Sequence, residues 1–151
     1  MFDMVNTKAV GNATEAVVMA EFLKAGFSVL LPFGENSRYD MVVEARGGFL
    51  RVQCKTAHRC GWKGDGACLR FHARSVRQDP GSKVIENRSY RGEADLFAAY
   101  APTTGQVYVL GVDEVPQTDV WLRLEPAQHG NQYGIRMAKE HTLAAWAARQ
   151  A

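Results

Sequence analysis

The sequence predicts an α+β fold, a mixed β-sheet flanked by helices. Three observations lead there. A segment with helical spacing opens the chain, an alternating hairpin occupies residues 38–57, and a second pair of apolar runs precedes a closing helix. At 151 residues the chain has the size of one domain with a real core, so 1–151 is read as a single unit. Its hydrophobic fraction of 46% and charged fraction of 23% exclude a disordered polar chain. Three cysteines at irregular positions make no disulfide framework and fit a reducing cytoplasm. There is no basic start followed by an apolar run, and no apolar stretch of about 18 residues. A cytoplasmic protein without a membrane partner is expected.

The opening helix starts from a cap at Asn6 or Thr7 and runs to about Ala25, with Gly26 as its stop. Val10, Ala13, Ala16, Val17, Ala20 and Leu23 or Lys24 follow its period and predict the buried stripe. Glu15 lies at the edge of that stripe, where a solvated carboxylate is the ordinary expectation. Residues 27–31 form a short apolar run, read as the first strand. A loop of turn residues, 32–37, follows.

In the hairpin, Gly47-Gly48 suits a two-residue type I′ turn. Counting back from that turn pairs Met41 with Cys54 and sets Asp40 opposite Lys55. One face then carries Met41, Val43, Ala45, Leu50, Val52 and Cys54, a core face. The other carries Asp40, Val42, Glu44, Arg51, Gln53 and Lys55. An acid, an amide and an amine thus gather at one end of a wet face. Opposite charges across an antiparallel pair are also ordinary, so spacing alone does not make this a site.

Net charge is only +2, but its distribution is uneven. Residues 58–91 hold eight Lys or Arg against three acids, a net +5; the remainder holds ten against thirteen, a net −3. A basic insert in a mildly acidic frame suits a phosphate-binding surface or a solvated loop. Trp62, Phe71 and Tyr90 lie among its charges, as nucleic-acid contacts or as buried loop anchors. Residues 68–74 alternate weakly and suggest one strand with basic residues on one face. Residues 94–100 and 106–112 form a further β pair, residues 121–124 another strand, and 128–134 a polar loop. A helix over 137–150 closes the chain, with Leu143, Trp146 and Ala147 facing inward.

Glu15 on the first helix, Asp40 opening the second strand and Gln53-Cys54-Lys55 on the third together resemble the PD-(D/E)XK nuclease superfamily. The surrounding residues, Gly11 to Glu15, Arg38-Tyr39-Asp40 and Val52 to Thr56, are most similar to its group I intron-associated homing endonucleases. Tyr90 to Val115 fits the same branch, and the resemblance covers about residues 5–115. Most of the superfamily has Asp or Glu at the position of Gln53; glutamine there is similar to the intron-associated branch. The resemblance implies a restriction-endonuclease-like core, in a bacterial or phage protein that cuts double-stranded DNA as a homodimer or homotetramer.

The residue types suit that chemistry. Phosphodiester hydrolysis uses a hard cation to polarise the phosphate and activate water. Magnesium, with manganese as a substitute, takes oxygen ligands. Asp40 and Glu15 are the expected metal ligands, and the resemblance adds the backbone carbonyl of Cys54. No small-molecule cofactor is expected. Gln53 offers a neutral oxygen or an amide donor. Lys55 would stabilise charge on the phosphate and, facing Asp40, stay mostly protonated. Arg70, Arg74, Arg77 and Lys83 are candidates for base contact in the major groove, with Arg51 and Lys63 nearer the backbone. Two other readings share the fold: a nuclease similar to archaeal Holliday junction resolvases, and an inactive DNA-binding module. A zinc site of His58, Cys60, Cys68 and His72 is a further alternative, although its spacing is not a usual zinc pattern.

Overall fold

The computed structural model describes residues 7–61, 67–78, 80–126 and 135–151, the side chains of Arg77 and Gln78 excepted. Helix α1 (Thr7–Lys24) ends where glycine permits. Gly26 has φ +91°, and its N–H donates to Leu23 O at 3.0 Å while Phe27 N–H reaches back to Phe22 O at 3.1 Å. That pair of bonds satisfies two carbonyls the helix end would leave bare.

The chain then builds a five-stranded sheet from β1 (Ser28–Leu30), β2 (Met41–Ala45), β3 (Gly48–Thr56), β8 (Leu96–Ala101) and β9 (Gln106–Gly111), in that spatial order. β3 and β8 run parallel and the other neighbours antiparallel, so the sheet is mixed. Between β3 and β8 lie β4 (His58–Cys60), β5 (Cys68–His72), β6 (Arg74–Gln78) and β7 (Ile85–Ser89). β10 (Asp119–Arg123) joins β5 and β4 in a second, three-stranded sheet, while β6 and β7 form a separate two-stranded ribbon. A 3-10 turn (Ala138–Glu140) and helix α2 (Leu143–Ala148) close the chain. No helix among the described residues is long and apolar enough to cross a membrane.

Two cores lie on opposite faces of the five-stranded sheet. On one, Val18 and Phe22 of α1 pack with Met41, Val43, Val52 and Cys54 and with Trp146 of α2. On the other, Leu69, Phe71, Val120 and Leu122 of the smaller sheet cover Phe97, Ala99, Tyr108 and Leu110. Each fully buried large side chain contributes roughly 1.5–3 kcal/mol, so both faces hold the sheet firmly.

Four expectations are corrected. The buried helix face is Thr14, Val18 and Phe22, while Ala13, Ala16, Ala20 and Leu23 are exposed. The apolar residues are spread round the helix and form no single stripe, so periodicity does not choose a face; packing on the sheet does. The hairpin turn is centred on Arg46 (φ +53°) and Gly47 (φ +71°), one residue earlier than Gly47-Gly48. Pairing therefore slips by two: Met41 faces Val52, and Ala45 faces Gly48. Side chains keep their faces, because the strand period is also two. Third, the strand expected over 68–74 bends at the buried Ala73 and becomes β5 and β6 in different sheets. Finally, the closing helix spans only Leu143–Ala148, capped by Thr142 Oγ1 accepting Ala145 N–H at 3.2 Å. Leu143 and Trp146 are buried as expected, and Ala147 is half-buried. Residues 128–134, expected as a polar loop, and the cap at Asn6 lie outside the described residues.

Candidate active site

α1 lies against β3, and one contact fixes how the two meet. Thr14 is buried, and its hydroxyl bonds the Thr56 hydroxyl at 2.7 Å. The next residue, Glu15, is thereby carried to the end of β2. There Asp40 closes the hairpin: its N–H donates to Val52 O at 2.8 Å, and its Oδ2 accepts Cys54 N–H at 2.8 Å. Glu15 and Asp40 lie side by side in the lining of an open cleft of about 260 Å³, which the loop residues Leu31, Pro32, Gly34 and Glu35 also line.

The electrostatics follow from that crowding. Burial raises the Glu15 carboxyl above its usual range, and the Asp40 charge raises it further. Burial also raises Asp40, although the Cys54 N–H and the charge of Lys55 pull it down. Two carboxylates held side by side at the edge of a cleft suit a cation. Desolvation holds the Cys54 thiol far above its ordinary range. The thiol therefore stays protonated, and this residue offers the site its backbone. Cys54 O accepts Gln53 Nε2 at 3.2 Å, so the amide lies against the third oxygen of the donor set.

Lys55 is not opposite Asp40, because of the two-residue slip. Its Nζ donates to the Tyr90 hydroxyl at 3.4 Å and to Arg74 O at 3.3 Å, and lies 4.6 Å from the Tyr90 ring centre. Burial lowers its pKa to about 8; Asp40 opposes that shift and Arg38 adds to it. The ammonium form still dominates at neutral pH. Arg38 stacks on the same ring at 4.2 Å. Its guanidinium also donates to Ser75 Oγ at 2.8 Å and Ser89 O at 3.1 Å, and it pairs with Glu93. The sequence offers no site role for Arg38 or Glu93, and Tyr90 only as a nucleic-acid contact or a buried anchor. An arginine two residues before Asp40 and an aromatic in the basic insert were the available signals.

Four of the predicted site residues, Glu15, Asp40, Gln53 and Lys55, thus converge on one end of the hairpin together with the Cys54 carbonyl. The basic candidates divide. Arg51 is engaged by Asp95, through Nε–Oδ2 at 3.0 Å and Nη2–Oδ1 at 3.1 Å, and by Gly92 O at 3.1 Å. Arg70 lies on the outer face of the smaller sheet, 5.4 Å from the Trp121 ring. Arg74 and Lys83 belong to the ribbon segment, where Lys83 is exposed and Arg74 half-buried. Arg77 is a backbone member of β6, paired with Glu86. Lys63 and Trp62 lie outside the described residues. Phe71 and Tyr90 are buried anchors. The zinc alternative gains no support: His72 is taken by Asp119 at 2.5 Å, and no group of three or more His, Cys, Asp or Glu among the described residues converges on a metal.

Comparison with known proteins bears on the same residues. A search of curated proteins finds no match. The bacterial homing endonuclease I-Ssp6803I has a similar structure, with a TM-score of 0.72 and 23% sequence identity over 96% of this chain and 93% of that one. Hjc, a Holliday junction resolvase from the archaeal hyperthermophile Archaeoglobus fulgidus, aligns with a TM-score of 0.42 and 16% identity, over 76% of this chain and 84% of that one. Residues 5–144 match the sequence profile of the PD-(D/E)XK endonucleases, a group that generally works with divalent metal ions. That match takes in α1, the hairpin and both sheets, and on it the chain belongs to the PD-(D/E)XK endonuclease family.

Proposed function

We propose that this protein is a site-specific DNA endonuclease of the intron-associated homing type, which makes a double-strand break by magnesium-dependent hydrolysis. The observation that carries this reading is that Glu15 and Asp40 line one cleft while the Cys54 backbone and the Lys55 charge both act on Asp40 beside it. Glu15, Asp40 and the Cys54 carbonyl form a hard oxygen donor set that fits Mg2+, with Mn2+ as a substitute. When bound, the metal would polarise the phosphate and make water a better nucleophile.

The chain's own residues supply the rest. Asp40 is held rigid by the Cys54 N–H, so the donor set is organised before substrate arrives. Lys55 keeps its proton at neutral pH and presents a positive charge to the scissile phosphate as negative charge builds there. The Gln53 amide lies beside the Cys54 carbonyl and can orient water or a phosphate oxygen. The β6–β7 ribbon, with Arg74 and Arg77 in β6 and Lys83 in the connection, is a two-stranded element of the kind the major groove admits. Arg70 and Lys63 would add contacts beyond it, while Arg51 is better read as a brace of the scaffold. A homodimer or homotetramer would present two clefts to the two strands of one duplex.

The test is cleavage. Wild type and Lys55→Ala are incubated with plasmid libraries of candidate insertion sites and with four-way junctions, in magnesium and in chelator. Discrete magnesium-dependent cutting of linear duplex, lost in the variant, is the expected result. Cutting confined to junctions, or duplex binding without any cutting, would overturn the homing reading. Light scattering of the purified protein checks the oligomer.

A further inference from the structure

Glu93 stands between the ribbon and the cleft and serves two arginines. Its carboxylate pairs through one oxygen with Arg38 and through the other with Arg88 of β7. The two partners differ in freedom. The Arg38 side chain is 24% exposed and tied to Ser75, Ser89 and the Tyr90 ring. The Arg88 side chain is 56% exposed, and among the described residues its guanidinium pairs with Glu93. Arg38 is therefore fixed, and Arg88 can swing outward at the cost of one ion pair.

A carboxylate and a phosphate are alternative acceptors for the same guanidinium fork. We infer that Glu93 stands in for a DNA phosphate: it holds Arg88 in the free protein, gives it up to the duplex backbone when the ribbon docks, and then binds Arg38 alone. Arg38 is thereby a positioning residue, since its guanidinium and the Lys55 ammonium share the Tyr90 ring and Lys55 also bonds Arg74 O at the base of the ribbon. Docking of the ribbon and placement of the lysine become one event. The inference rests on the nuclease reading and adds residues that the sequence left without a role.

The assignment predicts opposite changes in binding and in rate. In Glu93→Gln, Arg88 is free before DNA arrives, so affinity for a 30-base-pair duplex in chelator rises about two- to fivefold. Arg38 loses its charged anchor and keeps only the neutral ones, so single-turnover cleavage of the target plasmid at saturating protein slows about threefold or more. In Glu93→Gln with Arg88→Gln, the gain in affinity disappears. Thermal melting checks that each variant is folded, and Arg38→Lys should restore part of the rate lost in Arg38→Ala. If Glu93→Gln weakens binding and cleavage together, Glu93 is only a brace and the inference falls; unchanged affinity also sinks it. The binding arm needs no metal or cleavage. A wild type that binds duplex but cuts nothing therefore overturns the nuclease reading and leaves this binding result separately readable.

Discussion

The Asp40 carboxylate accepts the backbone N–H of Cys54 at 2.8 Å, across the open end of the β2–β3 hairpin. A main-chain N–H bonded to the carboxylate favours the orientation that lines the cleft. The carboxylate stays close to Glu15 even though both carboxyls are raised by burial and Glu15 further by the Asp40 charge.

That crowding sets the stability of the metal-free protein. A carboxyl with a raised folded pKa binds more protons folded than unfolded, so stability falls as pH rises through the window between its unfolded and folded values. In chelator, the melting temperature of wild type should decline as pH rises from about 4, and Asp40→Asn should flatten the decline. Magnesium should raise the melting temperature of wild type at neutral pH and leave that of Asp40→Asn nearly unchanged. Cleavage by Asp40→Asn should fall at least about a hundredfold. A variant that keeps both its metal response and its cutting would remove Asp40 from the site.

Lys55 gives the opposite sign. Its folded pKa is lowered to about 8, so the folded state binds fewer protons than the unfolded state from there up to the ordinary lysine range. Stability should therefore rise with pH across that window in wild type and not in Lys55→Met. The rate should fall as pH passes about 8, because the ammonium is lost. Lys55→Met should cut about a hundred- to a thousandfold more slowly at neutral pH. A flat wild-type rate profile between pH 7 and 9.5 would argue against a charged lysine.

Thr14→Val keeps the shape of a buried side chain and removes its bond to Thr56. The expected loss is about 1–2 kcal/mol in urea unfolding, with slower cleavage because the same contact carries Glu15. A variant with the stability loss but wild-type cleavage would show that Glu15 is placed by other contacts.

Gly47→Ala tests the turn. A Cβ at this position meets nothing within 4 Å, so only the positive φ of +71° opposes it. The expected cost is about 1 kcal/mol by chemical denaturation. Gly48→Ala, where φ is not positive, should cost less. The reverse order would return the turn to Gly47-Gly48.

Much of the site was legible from local sequence. Alternation alone separated Met41, Val43, Val52 and Cys54 from Asp40, Gln53 and Lys55, and a register slip of two could not disturb that division. Gly26 marked the helix end, because positive φ is a property of the residue itself. The ends of β8 and β9 were legible to within about two residues for a similar reason, as apolar runs bounded by turn residues.

What only the tertiary structure decided was which surfaces meet. The helix face, the partner of Lys55 and the engagement of Arg51 by Asp95 depend on residues more than 30 positions apart in sequence. The helix has apolar residues on every side, and only packing against the sheet selected Thr14, Val18 and Phe22. The sequence by itself determined the candidate residues for metal-assisted hydrolysis and the strand faces on which Asp40, Gln53 and Lys55 lie. Folding determined their partners and the direction in which their pKa values move, because desolvation and long-range contacts exist only once the layers have closed.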